Sequence, residues 1–298
     1  MFKDIVLAVT PSKICECAAD KAMSFAQRFE ANLYMVHVCG MEQGWSVMRQ
    51  LIPSGETDRL AEQLEAYYRE KLKGVEHYQI RVIPGVPHVE ILRLARKVNS
   101  DLIVMGPHTK DHEDTRARTW GMTGSCLERV SRKARCPVMI VAQESPYGEQ
   151  SFFNILVATD LSREAECSVG YASQMARQYN AHLHIVHVLE LNPDQELPPQ
   201  REIEKTLQLC EDKIQAMYSD RMQGLPGCSI HTSEGDPALE ILKWARKVRA
   251  DVILMAHHSR EQEPEAAYLG STVAKVALNA MCPTMSINRH FDMRCALY

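Results

Sequence analysis

The 298-residue chain has no apolar run long enough to cross a bilayer. The longest, such as Ile5–Val9 and Pro137–Ala142, are strand-sized, against the roughly 18 to 20 residues that a spanning helix needs. An excess of positive charge is also missing. At a net charge of −4 nothing in the composition draws the protein to nucleic acid, so neither nucleic acid nor membrane is expected as a partner. The opening residues Met1, Phe2, Lys3 and Asp4 lead straight into an apolar strand, without the basic region, apolar stretch and small-residue cleavage site of a secretion signal, which predicts a cytoplasmic location.

Signatures of catalysis and metal binding are absent too. There is no GxxxxGK[ST] loop, no GxSxG turn and no full zinc set. His108 and His112 form an HxxxH pair, but on a polar loop without a third ligand, and His257 and His258 occupy the equivalent loop further on; all four read as solvated loop histidines. His182, His184 and His187 alternate with apolar residues and read as structural positions of a strand. Cys15 and Cys17 would point about 200° apart on a helix, so no metal is expected there. The ten cysteines are scattered through a chain whose apolar strands already supply a core, and they read mostly as buried thiols, Cys17, Cys167, Cys136 and Cys282 included.

What the chain has is itself, twice. Residues from Phe2 to about 141 align with those from 153 to about 287, over long stretches at one constant offset: Cys17 with Cys167, His37 with His187, Pro87 with Pro237, Asp101 with Asp251. The stretch GVPHVEILRLARKVNSDLIVM from Gly85 answers to GDPALEILKWARKVRADVILM from Gly235. A repeat of this length holds its own core, which excludes a solenoid of short repeats and predicts two domains, 1–143 and 152–290, a polar linker at 144–151 and a tail at 291–298.

Each copy alternates short β-branched runs with longer helical patterns, the pattern of βαβ units in a parallel sheet. Strands are predicted in copy one near Asp4–Thr10, Asn32–Val38, Tyr78–Ile83, Asp101–Gly106 and Pro137–Ala142, and helices near Ile14–Phe29, Thr57–Leu72, His88–Val98 and Ser125–Arg135. Copy two repeats the order. Strands such as DIVLAV and DLIVM are apolar at consecutive positions, as when helices cover both faces of the sheet. The fold class is therefore α/β, with two tandem doubly wound sheets. In such sheets ligands sit beyond the carboxyl ends of the strands where the strand order reverses, which directs attention to the loops after the first and fourth strands. Those loops bring Thr10-Pro11-Ser12 and Asp160-Leu161-Ser162, and, before the last helices, Gly124-Ser125 and Gly270-Ser271-Thr272, whose free backbone N–H groups suit phosphate.

The strand LVATD, the GxPxxxI segments at Gly85 and Gly235, the Met105-Gly106 pair, the Gly-Ser helix starts and the strand CPVMIV together resemble a tandem universal stress protein of the UspA type, over both copies almost end to end. The resemblance implies five-stranded parallel sheets in order 3-2-1-4-5, a stress-response role, binding of ATP or another adenine nucleotide in many members, and pairing through the fifth strand; for this chain the expected cofactor is ATP or AMP with magnesium, or none. That pairing would make an intramolecular pseudo-dimer and a homodimer. The nucleotide contacts it implies are Thr10, Val38, Gly106, Gly124 and Ser125 in copy one, and Asp160, Val188, Gly270, Ser271 and Thr272 in copy two.

Both copies depart from the family's nucleotide motif, an Asp after strand one and a spaced Gly set after strand four. Copy one has Thr10 for the acid, Thr109 for the second glycine, and a longer span from Gly106 to Gly124; copy two keeps Asp160 but has Ala256 and Ser259 for the glycines. Where such a glycine needs positive φ, a Cβ costs roughly 1–2 kcal/mol. Copy two's loop carries Glu261, Glu263 and Glu265 against Arg260, which opposes a triphosphate; copy one's carries Lys110, Arg116, Arg118 and Trp120 among Asp111, Glu113 and Asp114. Adenylyl-transfer enzymes of similar architecture need paired histidines after strand one, and neither copy has them. The expectations are nucleotide binding in at least one copy, a nucleotide-free interaction scaffold as the alternative, and slow ATP hydrolysis as a third reading.

Overall fold

In the computed structural model, residues 2–10, 15–39, 54–107, 125–144, 152–191, 198–257 and 271–288 are described. Copy one runs β1 (Asp4–Ala8), α1 (Glu16–Phe29), β2 (Asn32–Cys39), α2 (Glu56–Tyr68), β3 (Tyr78–Pro84), α3 (Pro87–Lys97), β4 (Leu102–Met105), α4 (Ser125–Lys133) and β5 (Val138–Ile140). Copy two runs β6 (Asn154–Ala158), α5 (Arg163–Tyr179), β7 (His182–Leu189), α6 (Gln200–Met222), β8 (Gly227–Glu234), α7 (Pro237–Lys247), β9 (Val252–Ala256), α8 (Ser271–Asn279) and β10 (Thr284–Ile287). All predicted elements are present, with ends moved by a few residues.

The GxP repeat explains one of those boundaries. Pro87 and Pro237 occupy the first turn of α3 and α7, where the missing N–H costs nothing and the fixed φ suits a helix start. Gly235 before α7 has φ 132°, a backbone state that side chains avoid, and a Cβ on Gly85 would sit 2.7 Å from Glu90 Cγ.

Within each copy the strand order is 3-2-1-4-5, all parallel, and the two sheets merge into one of ten strands: β3-β2-β1-β4-β5-β10-β9-β6-β7-β8. Among the described residues the one antiparallel pair is β5 with β10, through Thr284–Ile140, Met285–Met139 and Ser286–Val138. The fifth strands therefore have neighbours on both sides, and no sheet edge is left open at the seam. Because β10 runs against β5, the carboxyl ends of the two parallel sets face opposite ends of the molecule.

Helices α1, α2, α5 and α6 cover one face of this sheet and α3, α4, α7 and α8 the other, each face forming one core shared by both copies. Rings tie the copies together on the first face. Phe25 meets Phe152 at 5.6 Å, Phe29 meets Tyr179 at 5.5 Å, and Phe152 meets Tyr179 at 5.0 Å. The Arg28 guanidinium lies 5.0 Å from the Phe29 centroid and 5.9 Å from that of Tyr179. Across the seam Gln143 Nε2 donates to Ala280 O at 2.6 Å, and Asn288 Nδ2 donates to Ser131 O at 3.1 Å. Among the described residues no helix is long and apolar enough to cross a membrane.

Two readings of side chains need correction. Cys136 and Cys282 are buried, but Cys167 is exposed and Cys17 only half-buried, packed at the margin of the core. His257 is buried at 2% exposure instead of solvated, since the β9–β10 ladder continues through it: its N–H donates to Ile287 O at 2.8 Å and its Nδ1 lies 3.4 Å from Ser286 Oγ. His108, His112 and His258 lie outside the described residues.

Candidate functional site

The strand order reverses between β1 and β4 in copy one and between β6 and β9 in copy two. Those are the places where the carboxyl ends of the sheet open a crevice. In copy two the register pairs Ala158 with Met255, so Asp160 and His257 come two residues beyond a matched pair.

The turn carrying Asp160 is fixed by a closed set of hydrogen bonds. His187 Nδ1 lies 2.9 Å from Thr159 O; a carbonyl can only accept, so this ring carries its proton on Nδ1. Thr159 Oγ1 accepts the Leu161 N–H at 3.1 Å and pairs with the Tyr218 hydroxyl at 2.9 Å. Leu161 adopts φ 63°, a left-handed conformation uncommon for leucine, and that bond pins it there. Asp160 Oδ1 then accepts both the N–H of Ser162, at 3.1 Å, and its hydroxyl, at 2.6 Å, while Ser162 Oγ caps α5 by accepting from Ala165 N at 3.2 Å. The result is an exposed carboxylate held at the start of a helix, just beyond the carboxyl end of β6 at the switch point.

Copy one keeps only part of this. His37 Nδ1 donates to Val9 O at 3.0 Å, as His187 does to Thr159 O, but Val9 has no hydroxyl. Tyr68, the counterpart of Tyr218, is fully buried and its hydroxyl has no partner among the described residues. Thr10, which stands where copy two has the acid, has its hydroxyl 3.0 Å from Cys15 Sγ. Burial raises the phenol pKa of both tyrosines; at Tyr218 the bond to Thr159 works against that rise.

Of the other residues implied by the resemblance, Val38 and Val188 sit near the ends of β2 and β7, half-buried and packed on the core under α3, α4, α7 and α8. Gly106 follows β4 directly and is buried, Ser125 opens α4 and is exposed, and Thr272 lies in the first turn of α8. Ser271 is the first residue of α8. Gly124 and Gly270, the basic and acidic loops between them and the preceding strands, and Thr109 and Ser259 lie outside the described residues. Ala256, where the family pattern has its first glycine, is the last residue of β9, paired with Ile287 in extended backbone that alanine adopts without strain. The loss of that glycine thus costs nothing in backbone conformation. The sequence reading missed Thr159 and Tyr218. The signal was present in the repeat itself: the equivalent positions 68 and 218 are both Tyr, whereas the equivalent positions 9 and 159 are Val and Thr.

A doubly wound repeat with a strand-order switch point in each copy defines a class, and comparison defines the family. The profile of the universal stress protein family matches residues 1–142 and again 151–288, so the chain belongs to that family, with two domains in tandem. It is similar to Universal stress protein MJ0531 of Methanocaldococcus jannaschii, 31% identical over 149 residues that cover 47% of this chain and 82% of that protein. Among solved structures it is similar to a universal stress protein from Archaeoglobus fulgidus, at TM-score 0.65 and 20% identity over 96% of both chains. A putative universal stress protein from Pseudomonas aeruginosa gives TM-score 0.62 and 15% identity over 99% of this chain and 98% of that one. At these identities the structures establish the shared fold.

Proposed function

We propose that this universal stress protein holds one adenine nucleotide, ATP or AMP, at the switch point of its second domain, with AMP preferred because Glu261, Glu263 and Glu265 oppose a triphosphate, and that it acts by binding and not by turnover. The observation that carries this reading is the contrast between the crevices. Copy two presents a carboxylate on a turn locked by Thr159, Tyr218 and Ser162, whereas copy one has the uncharged Thr10 directed to Cys15. Asp160 is placed for the nucleotide's polar hydroxyls or for a magnesium ion shared with phosphate, a hard cation that takes one or two carboxylates beside the phosphate oxygens. Val188 supplies an apolar wall, and the N-terminus of α8 at Ser271 and Thr272 supplies N–H groups for phosphate.

The test is to denature freshly purified protein and count adenine nucleotide per chain by mass spectrometry, then titrate AMP and ATP with magnesium into wild type, Asp160→Ala and Gly124→Val. About one nucleotide per chain, with binding lost in Asp160→Ala and kept in Gly124→Val, supports the second-domain site. Binding lost only in Gly124→Val moves the site to the first domain. No nucleotide and no binding leave the scaffold reading, which the stitching of His257 to β10 favours, because it closes the end of the strand where the family pattern has a glycine. Phosphate release above a buffer blank would establish slow hydrolysis.

A further inference from the structure

The second domain carries a column of rings at the end of the sheet opposite its crevice. Alternate residues of a strand share a face, so His182 and His184 of β7 point the same way, and β8 sets His231 beside them. The His182 and His184 centroids are 4.5 Å apart and those of His184 and His231 5.3 Å. His231 stacks on Trp244 of α7 at 4.1 Å, and Lys247 Nζ lies 4.1 Å from the Trp244 centroid. The fit is close: a Cβ at Gly227 would sit 2.4 Å from His182 Nδ1.

The hydrogen bonds assign a protonation state. His184 Nε2 is 3.3 Å from Asn154 Oδ1, which can only accept, so the proton is on Nε2; His184 Nδ1, 3.0 Å from His231 Nε2, is then the acceptor. A proton added to His184 turns Nδ1 into a donor, so the 3.0 Å contact survives only if His231 shifts its own proton from Nε2 to Nδ1, and it is lost once both rings are charged. Among the described residues no carboxylate acts on either ring. His184 is 9% exposed, and the groups facing it and its partner are His182 from β7, His231 from β8, Lys247 from α7 and the neutral Asn154 from β6. Asp251, at the head of β9, has its carboxylate turned to the N–H groups of Phe153 and Asn154. Copy one supplies the contrast. Its equivalents of His182, His184 and Asn154 are Asn32, Tyr34 and Asp4, with Asn32 Nδ2 at 2.9 Å and the Tyr34 hydroxyl at 3.3 Å donating to the Asp4 carboxylate.

We propose that this column is a proton-triggered latch: neutral, it ties the edge strand β8 and helix α7 to the sheet, and mild acid releases that edge of the second domain while the equivalent edge of the first stays closed. Burial, then the neighbouring His182 and His231, hold His184 down at about 4; burial, Lys247 and His182 hold His231 below the usual imidazole value. A group that binds its proton more weakly when closed than when open stabilises the closed state fully above about pH 6.5, and loses that contribution as the pH falls toward 4. One imidazole held at about 4 closed and about 6.5 open raises the open population roughly 30-fold at pH 5 relative to pH 7.5.

Hydrogen exchange of the full chain at pH 7.5 and pH 5, corrected for the intrinsic pH dependence, tests this. Protection of Gly227–Glu234 is expected to fall by on the order of 30-fold while that of Tyr78–Pro84 changes less than about 2-fold. The double variant Asn154→Asp, His184→Tyr, which installs the copy-one pair, should abolish the difference. An equal loss in both strands overturns the proposal, and so does a folded variant that keeps the response. If the variant does not fold at pH 7.5, imidazole titration of the wild-type protein by NMR decides: His184 and His231 titrating well below 6.5, together with the β8 loss, support the latch, and values at or above 6.5 overturn it.

Discussion

Met139 lies opposite Met285 in the only antiparallel strand pair among the described residues, and the two residues are equivalent positions of the two copies. The local two-fold axis of the repeat therefore passes between their side chains, both fully buried. The contact that could join two separate universal stress domains is made inside one chain, so a homodimer through the fifth strands would first have to break it.

Truncating either methionine should loosen the seam. Met139→Ala and Met285→Ala are each expected to cost about 2–4 kcal/mol in chemical denaturation, and the double variant less than the sum, because the second truncation removes contacts the first has already lost. Additive losses would show that the two side chains do not act on one another.

The equivalent tyrosines should respond with different magnitudes, and with opposite sign if the buried Tyr68 hydroxyl is as costly as it stands. Tyr218→Phe removes the partner of Thr159 Oγ1 and is expected to destabilise by about 1 kcal/mol, whereas Tyr68→Phe removes a hydroxyl that has no partner among the described residues and should be neutral or stabilising by up to about 1 kcal/mol. Val9→Thr is expected to stabilise copy one by giving Tyr68 the partner that Thr159 gives Tyr218. Thermal unfolding of the three variants decides, and equal losses in both Phe variants would sink the contrast.

At the crevice, Asp160→Ala is expected to weaken adenine nucleotide binding about 10-fold or more, which corresponds to about 1.4 kcal/mol. Asp160→Asn, which keeps the acceptor for Ser162 but not the charge, separates turn geometry from electrostatics: affinity as in wild type would mean that Asp160 serves the turn alone.

The paired glycines differ in why they are glycine. Gly235→Ala should cost about 1–2 kcal/mol through its φ of 132°, and Glu240→Ala should not rescue it, since the nearest Glu240 atom is 3.5 Å from the added Cβ. Gly85→Ala meets Glu90 Cγ at 2.7 Å and disturbs the Glu90–Arg93 ion pair, so Glu90→Ala should restore part of the loss. Denaturation midpoints of the four variants and their pairs test this.

The sequence by itself determined the repeat, the α/β class and the element order, because these follow from local periodicity and from residues such as Pro87 and Pro237 whose backbone preferences act within a turn of chain. It also located Asp160, which precedes a helix start by a fixed few residues. Tertiary structure alone decided the rest. That β5 and β10 would join two sheets into one depends on which edges meet, not on either strand's pattern. The burial of His257 depends on a ladder partner, Ile287, far along the chain. The locking of the Asp160 turn needs Tyr218, on another helix, to reach Thr159, and the ring column needs His184, His231 and Trp244 from three elements. Periodicity reports which face of an element is apolar; only packing decides which side chains from distant elements share the space behind it.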